Sequence, residues 1–421
     1  MTSLIKNIFC CAGNCLCYAC NNICEDSKKI NPKLFARIGF IILGLISVGF
    51  SLFILYYGAG ILKPFDSFIQ CPKENNLDCL GISSIYRMSF TMVCLHFIVI
   101  LFSLFGQNCA NVLNRDCWTF KILFICGVYF GFLFIPNSFF LVYAEIARYL
   151  SVLFLIYQIL VTISFAHVLN YQLIDGLDET SEFKYKFWLL FLFLLFTGFI
   201  LFWTIISLIN FSDEIYNIFI VTLSFVFGCI LTGISISNTI RRKRLLTSLY
   251  IFSFMAYMTW SSLNSQPREI QTEIKYSLID ILVGLFYLFM AVSYLGFYIK
   301  KEKISESDSN EQKEIKKNPV LEEEKNEEEK LTNQELSDYK NINQITTAHF
   351  YFHVFMIFMS VYYSMLLTNW TIVEGTAENF ILIPQNLASF WIKLSGVFVS
   401  GLLYLWVMLA PIIFPDREFD F

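Results

Sequence analysis

The sequence predicts an all-α, polytopic membrane protein with ten transmembrane helices, and two observations predict this class. Hydrophobic residues make up 56% of the chain and charged residues only 15%, against about 25% charged residues in an average soluble protein. The apolar residues also fall into ten runs, each near the ~20 residues that a helix needs to cross a bilayer. Together these observations indicate an integral membrane protein.

The first element, residues 1–35, is polar, rich in cysteine and expected to be cytoplasmic. Its cysteines follow the spacing C-C-x3-C-x-C-x2-C-x3-C. Cysteines beside a membrane helix are candidates for S-acylation, whereas thiolate clusters also bind zinc and cytosolic thiols often simply stay reduced. We favour S-acylation because no histidine lies among them. The lipidation candidates are Cys10, Cys11, Cys15, Cys17 and Cys20.

Residues 36–299 hold the first eight predicted spans, and residues 349–413 hold the last two. Several spans carry Trp or Tyr at an end, and such rings settle at the level of lipid headgroups. The ten spans are predicted at 36–57, 82–105, 118–135, 147–169, 187–209, 216–240, 245–263, 278–299, 349–368 and 390–413.

The stretch 138–170 contains the fourth span, with three spans before it and six after it. Its thirty-three residues include no Pro or Gly. A continuous helix of that length measures about 50 Å, well beyond the roughly 30 Å of bilayer hydrocarbon, so we expect a steep tilt or an interfacial first part. Arg148, Ser151, Gln158 and Thr162 share one stripe at helical spacing, and a polar seam in lipid must meet protein or water.

The distribution of Lys and Arg among the loops predicts that both termini are cytoplasmic. With the N-terminus inside, inner segments hold twenty-two Lys and Arg, counting Arg37 at the inner end of the first span, and outer loops hold four; these residues concentrate in cytoplasmic loops. Two glycosylation sequons, at Asn210 and Asn369, then lie outside. Cys71 and Cys79 also lie outside, where an oxidising compartment favours a local disulfide between them.

Residues 300–348 form an acidic loop, and residues 414–421 form a short cytoplasmic tail. The loop holds thirteen Asp and Glu against nine Lys, a difference equal to the net charge of −4 of the whole chain. It is too poor in apolar residues to bury a core, so we expect a disordered or partly helical segment. A solvated spacer is the simpler interpretation and a docking site for partners the other. The balanced charge elsewhere gives no indication of a nucleic-acid partner.

Motifs for catalysis and nucleotide binding are absent from the sequence. It has no H-E-x-x-H, G-x-S-x-G or G-x-x-x-x-G-K-[ST] pattern, and its four histidines cannot assemble a His-rich metal site. We therefore expect a non-enzymatic protein with no catalytic residue, no metal and no cofactor.

Polar residues within the spans are the candidates for function, because a charged side chain at the bilayer centre costs about 2.5 to 3.5 kcal/mol on insertion scales. In one interpretation Lys and Arg near helix ends extend to headgroups, and His353 is a hydrogen-bonded packing residue. In the other, several of these residues line a groove that lipid headgroups cross while acyl tails stay in the membrane. The candidates for this lipid path are Arg87, Lys121, Arg148, Gln158, Thr162, His353 and Lys393.

The sequence resembles the Serinc family, the serine incorporators, over nearly its whole length. The most specific stretches are C-terminal: YFHVFMIFMSVYYSMLLTNW at 351–370, WIKLS at 391–395 and LYLWVMLAP at 403–411. Further matches are the Cys-rich N-terminus, YRMSF at 86–90, WTFK at 118–121 and YMTWS at 257–261. One departure is Ser164, which stands where the family often has Asp before Phe-Ala-His.

The resemblance implies a fold of ten membrane helices in two bundles, divided by a long, tilted fourth helix. It also implies two different functions: ATP-independent phospholipid scrambling, or a role in bringing serine into phosphatidylserine and sphingolipid synthesis. Scrambling is our leading hypothesis, with membrane phospholipids as ligands. The alternatives are a serine carrier or scaffold that docks lipid-synthesis enzymes through the 300–348 loop, and a structural subunit of a larger assembly. We expect an endomembrane or plasma-membrane location.

Overall fold

A computed structural model gives the fold of most of the membrane-spanning part of the chain. The predictions for the N-terminal cysteines, for the 300–348 loop and for residues 415–421 of the tail lie outside the described residues. The structure describes residues 32–71, 76–105, 118–175, 182–237, 245–266, 279, 281–291, 350–370, 372–374, 381–383 and 386–414.

The described residues form ten apolar helices of eleven residues or more, which follow the ten predicted spans in order. Seven of the described helices are long and apolar enough to cross a membrane. The protein is therefore an all-α, polytopic membrane protein, as the composition predicts. The helices are α1 Pro32–Phe53, α2 Asn76–Phe105, α3 Trp118–Phe132, α4 Asn137–Asp175, α5 Glu182–Phe211, α6 Ile215–Ile236, α7 Leu245–Asn264, α8 Ile281–Ala291, α9 Phe350–Leu367 and α10 Asn386–Ile413.

Helix α1 changes geometry where the sequence stops favouring a regular α-helix. It continues into a π turn at Ile54–Gly58 and a 3-10 segment at Ala59–Phe65 that contains Pro64. Glycine and proline both weaken an α-helix, glycine by its freedom in the unfolded chain and proline by its missing N–H. A last helical turn, Asp66–Ile69, then leads to Cys71.

Helix α4 is the longest helix in the described part of the chain, at 39 residues. The prediction of one continuous helix over 138–170 is confirmed, and the helix begins earlier than the predicted span, directly after Pro136. The chain divides into two compact units, and the boundary between Ala147 and Arg148 falls within this helix. The two bundles implied by the family resemblance therefore correspond to two units that share α4.

The first unit comprises residues 1–147, 295–364 and 373–381. Its described helices are α1, α2, α3, α9 and the beginning of α4. Helix α2 packs against both α1 and α3, and α1 approaches α9 closely at Gly44, where an added Cβ would lie 3.1 Å from the Cε of Met359.

The second unit comprises residues 148–294, 365–372 and 382–421, and α7 is its central helix. Every residue of α7 from Leu246 to Leu263 is buried, and α7 packs against α5, α6 and α10. Three of its six Ser and Thr donate to carbonyls of the same helix, Ser248, Ser253 and Thr259, and two donate to neighbouring helices, Thr247 and Ser262. Because neighbouring helices surround it, α7 tolerates many Ser and Thr. These residues lower its hydropathy, and α7 is not among the seven described helices that are long and apolar enough to cross a membrane.

Two short strands lie between α9 and α10 and form the one sheet within the described ranges. Strand β1, Ile372–Glu374, pairs with strand β2, Ile381–Ile383, in a two-stranded sheet. The composition does not predict this element.

Candidate functional site

The seven candidates for the lipid path divide between the two units. Arg87, Lys121 and His353 belong to the first unit, whereas Arg148, Gln158, Thr162 and Lys393 belong to the second. Six of these side chains are buried, and Arg148 is half-buried. Each unit must therefore be considered separately.

Arg87 in α2 is wholly buried and binds the end of α3. Its Nε donates to the Phe132 carbonyl at 3.0 Å, and its Nη2 donates to the Ile135 carbonyl at 2.7 Å. Its Nη1 donates to the Ser83 carbonyl and to Oδ1 of Asn137, each at 3.0 Å. The last carbonyls of a helix have no partner within that helix, and Arg87 donates to one of them, Phe132, and to Ile135 in the turn that follows. This corrects the sequence-based interpretation: Arg87 is a helix cap and does not extend to a headgroup.

The predicted disulfide between Cys71 and Cys79 is present beside this cap, with a Cα–Cα distance of 5.9 Å. The Nδ2 atom of Asn137 lies 4.0 Å from the sulfur of Cys71 and 3.8 Å from that of Cys79. Asn137 thus connects the disulfide to Arg87. Sequence reasoning missed Asn137, although Pro-Asn before a long apolar run is a typical helix start.

Lys393 in α10 binds the C-terminal end of α7 in the second unit. Its Nζ donates to Oγ of Ser265 at 2.9 Å and to the Ser261 carbonyl at 3.4 Å. Ser389 donates to the same Ser265 oxygen at 3.2 Å. A cation near the C-terminus of a helix also meets the negative end of the helix dipole. Lys393 therefore has a structural role like that of Arg87, and it too does not extend to a headgroup.

The polar stripe of α4 faces protein in the second unit. Ser151 is fully buried, while Gln158 and Thr162 are each 2% exposed. By contrast, Ser164 lies on the exposed side of the helix and donates to the Leu160 carbonyl at 3.0 Å. The predicted seam is thus a buried surface, and the position where the family often has Asp is not part of it.

Helices α7 and α10 both pack against this part of α4. Thr247 of α7 donates to the Ala166 carbonyl at 3.2 Å. An added Cβ on Gly396 of α10 would lie 3.4 Å from a methyl group of Leu155, so this part of α10 lies next to α4. Leu155 lies within one turn of Gln158.

Two oxygen atoms of the stripe have no hydrogen-bond partner among the described residues, the Oγ of Ser151 and the Oε1 of Gln158. Buried polar atoms are hydrogen-bonded in the large majority of cases, and an unpaired one costs about 1–3 kcal/mol. The stripe therefore retains a capacity to accept hydrogen bonds inside the second unit.

Lys121 and His353 meet around Phe40 in the first unit, in a group that we call the Phe40 cluster: Arg37, Phe40, His96, Trp118, Lys121, Phe352 and His353. The Nζ of Lys121 lies 4.4 Å from the centroid of the Phe40 ring and 3.8 Å from that of the Trp118 ring. The Nδ1 atoms of His96 and His353 are 3.0 Å apart, a hydrogen bond in which one ring donates and the other accepts.

His96, Phe40 and Arg37 were not predicted to belong to this cluster. The sequence interpretation of His353 as a hydrogen-bonded packing residue agrees with its bond to His96. Nothing in the sequence spacing connects positions 96 and 353, so the pair had no local signal.

Within the described residues no group of three or more His, Cys, Asp and Glu is placed to hold a metal ion.

Comparisons with known proteins agree with the resemblance. A family model described as Serine incorporator (Serinc) matches residues 9–417. A membrane protein of Schizosaccharomyces pombe is 25% identical, over 93% of this chain and 92% of its own length. A probable serine incorporator of Nematostella vectensis is 23% identical over 97% of both chains, and serine incorporator 5 of Rattus norvegicus is 22% identical over 98% of this chain and 97% of its own.

Proposed function

The chain belongs to the Serinc family, and from this premise we propose that it moves phospholipids between the two leaflets of a membrane without ATP. The headgroup path follows the buried face of α4 in the second unit, where Ser151, Gln158 and Thr162 line up. The protein acts as a non-enzymatic, integral, multi-pass membrane protein whose ligands are membrane phospholipids.

The observation that carries this proposal is the side chain of Gln158. It is 2% exposed, and its Oε1 has no hydrogen-bond partner among the described residues. In hydrocarbon a polar group without a partner is costly, so such a position is expected to serve a polar ligand. Amine and hydroxyl groups of headgroups supply the missing donors. The two outer cations, Arg87 and Lys393, are bound to backbone and hydroxyl groups, so we exclude both from the path.

A dithionite assay on reconstituted vesicles tests this proposal. Dithionite quenches a fluorescent phospholipid in the outer leaflet alone, so protein-dependent quenching beyond that fraction measures transbilayer movement. We expect Gln158→Leu to slow this movement about fivefold or more, because one hydrogen bond of about 1 kcal/mol is lost from the path.

Ser164→Ala is the matched control because Ser164 lies on the exposed face of the same helix, where its hydroxyl donates to the Leu160 carbonyl of that helix. It should leave the rate unchanged. No lipid movement above that of empty vesicles would contradict scrambling itself. Equal rates for wild type and Gln158→Leu would remove the α4 face from the mechanism.

A role in serine handling is the second candidate function, and it rests on the names of relatives. The similar proteins of Nematostella vectensis and Rattus norvegicus are both named serine incorporators. In this version the chain carries serine or holds lipid-synthesis enzymes, with the acidic 300–348 loop as their docking site. Serine binding measured by calorimetry, and loss of a co-purifying synthase when residues 305–345 are deleted, would support it. Scrambling in vesicles that contain no serine would favour the first function.

A further inference from the structure

We infer that the Phe40 cluster is a binding site for one phosphate group, carried by an anionic lipid or free in solution. The cluster belongs to the first unit, so it lies outside the path proposed above and does not depend on it. Four of its members are basic and come from four helices: Arg37 from α1, His96 from α2, Lys121 from α3 and His353 from α9.

The first argument is the concentration of basic groups in a buried place. Lys121 is 1% exposed, His96 is 0% exposed and His353 is 1% exposed. Lys121 and His96 are close enough for an electrostatic interaction, and the ring of His96 lies 5.4 Å from that of Phe40. A buried cation costs free energy, and a second basic group beside it adds to that cost. An anion bound at the same place offsets the cost of burying the cation and the cost of the second basic group.

The second argument is the packing of α3 and α9 around the ring of Phe40. This ring lies 5.3 Å from that of Trp118 in α3 and 6.4 Å from that of Phe352 in α9. Lys121 follows Trp118 by three residues, and His353 follows Phe352 directly. The same ring contacts therefore hold the basic groups of both helices close to Phe40.

The third argument is two nitrogen atoms without hydrogen-bond partners. The Nε2 atom of His96 and the Nε atom of Arg37 are buried and have no partner among the described residues, whereas polar atoms buried this deeply are normally paired. A single carbon separates the two ring nitrogens of His96, so Nε2 lies in the same cluster as the bond to His353. In the tautomer in which Nδ1 of His96 accepts the bond from His353, Nε2 carries the hydrogen, and a phosphate oxygen then accepts from it as it does from Arg37.

Arg37 and Trp118 form the accessible edge of the site. Both side chains are half-buried, and the Cζ of Arg37 lies 5.8 Å from the centroid of the Phe352 ring. Arginine and tryptophan are typical of the depth at which lipid headgroups lie, and a guanidinium binds phosphate through paired hydrogen bonds. A phosphate group thus reaches the buried cations by way of Arg37.

Binding to the purified protein in detergent tests this inference with three probes: dioctanoyl phosphatidic acid, dioctanoyl phosphatidylcholine and inorganic phosphate. Dissociation constants are measured by tryptophan fluorescence and by thermal unfolding. We expect saturable binding of phosphatidic acid, and a dissociation constant about tenfold higher in Arg37→Gln and in Lys121→Met, because each loses a charge-assisted contact. Lys184→Met, at an exposed lysine of α5, is the control and should bind like wild type.

The outcomes separate the sources of the phosphate. Binding of inorganic phosphate that weakens in the same two variants identifies a free phosphate as a sufficient ligand. Dependence on phosphatidic acid alone identifies a lipid. Equal dissociation constants for wild type, Arg37→Gln and Lys184→Met overturn the inference, as does equal affinity for phosphatidylcholine. Arg37→Gln keeps the test decisive if Lys121→Met does not fold, because the Arg37 side chain is only half-buried.

Discussion

Arg87 and Lys393 show how this protein keeps cations inside a membrane. Each is buried, and each donates to carbonyls near the C-terminal end of a helix, Arg87 to α3 and Lys393 to α7. The end of a helix in hydrocarbon has unpaired carbonyls and a negative partial charge, so a cation and a helix end offset each other's cost. The two side chains are therefore expected to act on stability more than on lipid movement.

Replacing Arg87 tests this structural role. Arg87→Met removes four hydrogen bonds, among them those to the carbonyls of Ile135 and Phe132, of which Phe132 keeps only its bond from the Ile135 N–H. We expect the free energy of unfolding to fall by about 3 kcal/mol or more, since hydrogen bonds to charged groups contribute about 1.5–3 kcal/mol each. Unfolding by SDS titration in mixed micelles measures it. The free energy of unfolding of Arg87→Lys should lie between those of wild type and Arg87→Met, because an ammonium group cannot reproduce the planar set of hydrogen bonds that a guanidinium makes.

A variant with unchanged stability and slower lipid movement would contradict the capping role. That result would return Arg87 to the lipid path.

At the scale of single residues, the sequence predicted that polar side chains within the spans contact protein, but it did not predict which atoms they bind. Gln158 and Thr162 were placed on one face by helical spacing alone, and that face is buried. Two of the four partners of Arg87 are carbonyls more than forty residues away, and backbone atoms leave no side-chain signal in a sequence. The pairing of His96 with His353 is equally remote.

At the scale of helices, the contact between α6 and α7 depends on one glycine. A Cβ on Gly228 would overlap the ring of Phe252, so α7 can lie this close to α6 only because position 228 has no side chain. Close backbone approach at small residues is the usual basis of helix packing in membranes. Gly233, five residues further along α6, has nothing within 4 Å of an added Cβ.

These two glycines form a matched pair of variants. Gly228→Ala should lower the free energy of unfolding by about 1–3 kcal/mol, the usual cost of an extra methyl group in a packed interior. Gly233→Ala should leave stability unchanged or raise it by up to about 1 kcal/mol, because alanine favours a helix more than glycine does. SDS titration of both purified proteins measures the difference. Equal effects of the two substitutions would show that α6 does not pack on α7 at Gly228.

The existence and order of the helices could be predicted, but their burial could not. Hydropathy identified all ten runs, including α7, whose Ser and Thr make it the least obvious span. That α7 is the centre of the second unit depends on which helices surround it, and periodicity gives no information on that. The strand pair after α9 was missed because the residues there have no strong strand pattern, whereas the stretch 138–170 did predict the start of α4 to within one residue.

At the scale of the whole molecule, α4 is long enough to contribute residues to both units. A helix of 39 residues measures about 58 Å, roughly twice the hydrocarbon thickness. Its residues up to Ala147 belong to the first unit, and those from Arg148 onward belong to the second. The sequence predicted this length from the absence of Pro and Gly, whereas the division into two bundles came from the family resemblance.

The distribution of positive charge predicts the orientation of the whole chain, and this orientation gives the last testable prediction. Inner segments hold twenty-two Lys and Arg against four in outer loops, and this asymmetry normally sets topology. It places the turn between α5 and α6 outside, and the start of α5 inside. Asp213 in that turn and Lys184 near the start of α5 are both exposed. Asp213→Cys should therefore react with a membrane-impermeant maleimide from outside the bilayer, in cells if the protein reaches the plasma membrane or in sealed vesicles of known sidedness.

Lys184→Cys should gain a label only after the membrane is permeabilised. Each variant is compared with the parent chain, so that label on the native cysteines is subtracted. The opposite pattern would invert the topology, and the Cys71–Cys79 disulfide would then face the reducing cytosol. Because such a disulfide persists in an oxidising compartment, loss of the bond in non-reducing gels would have to accompany that inversion.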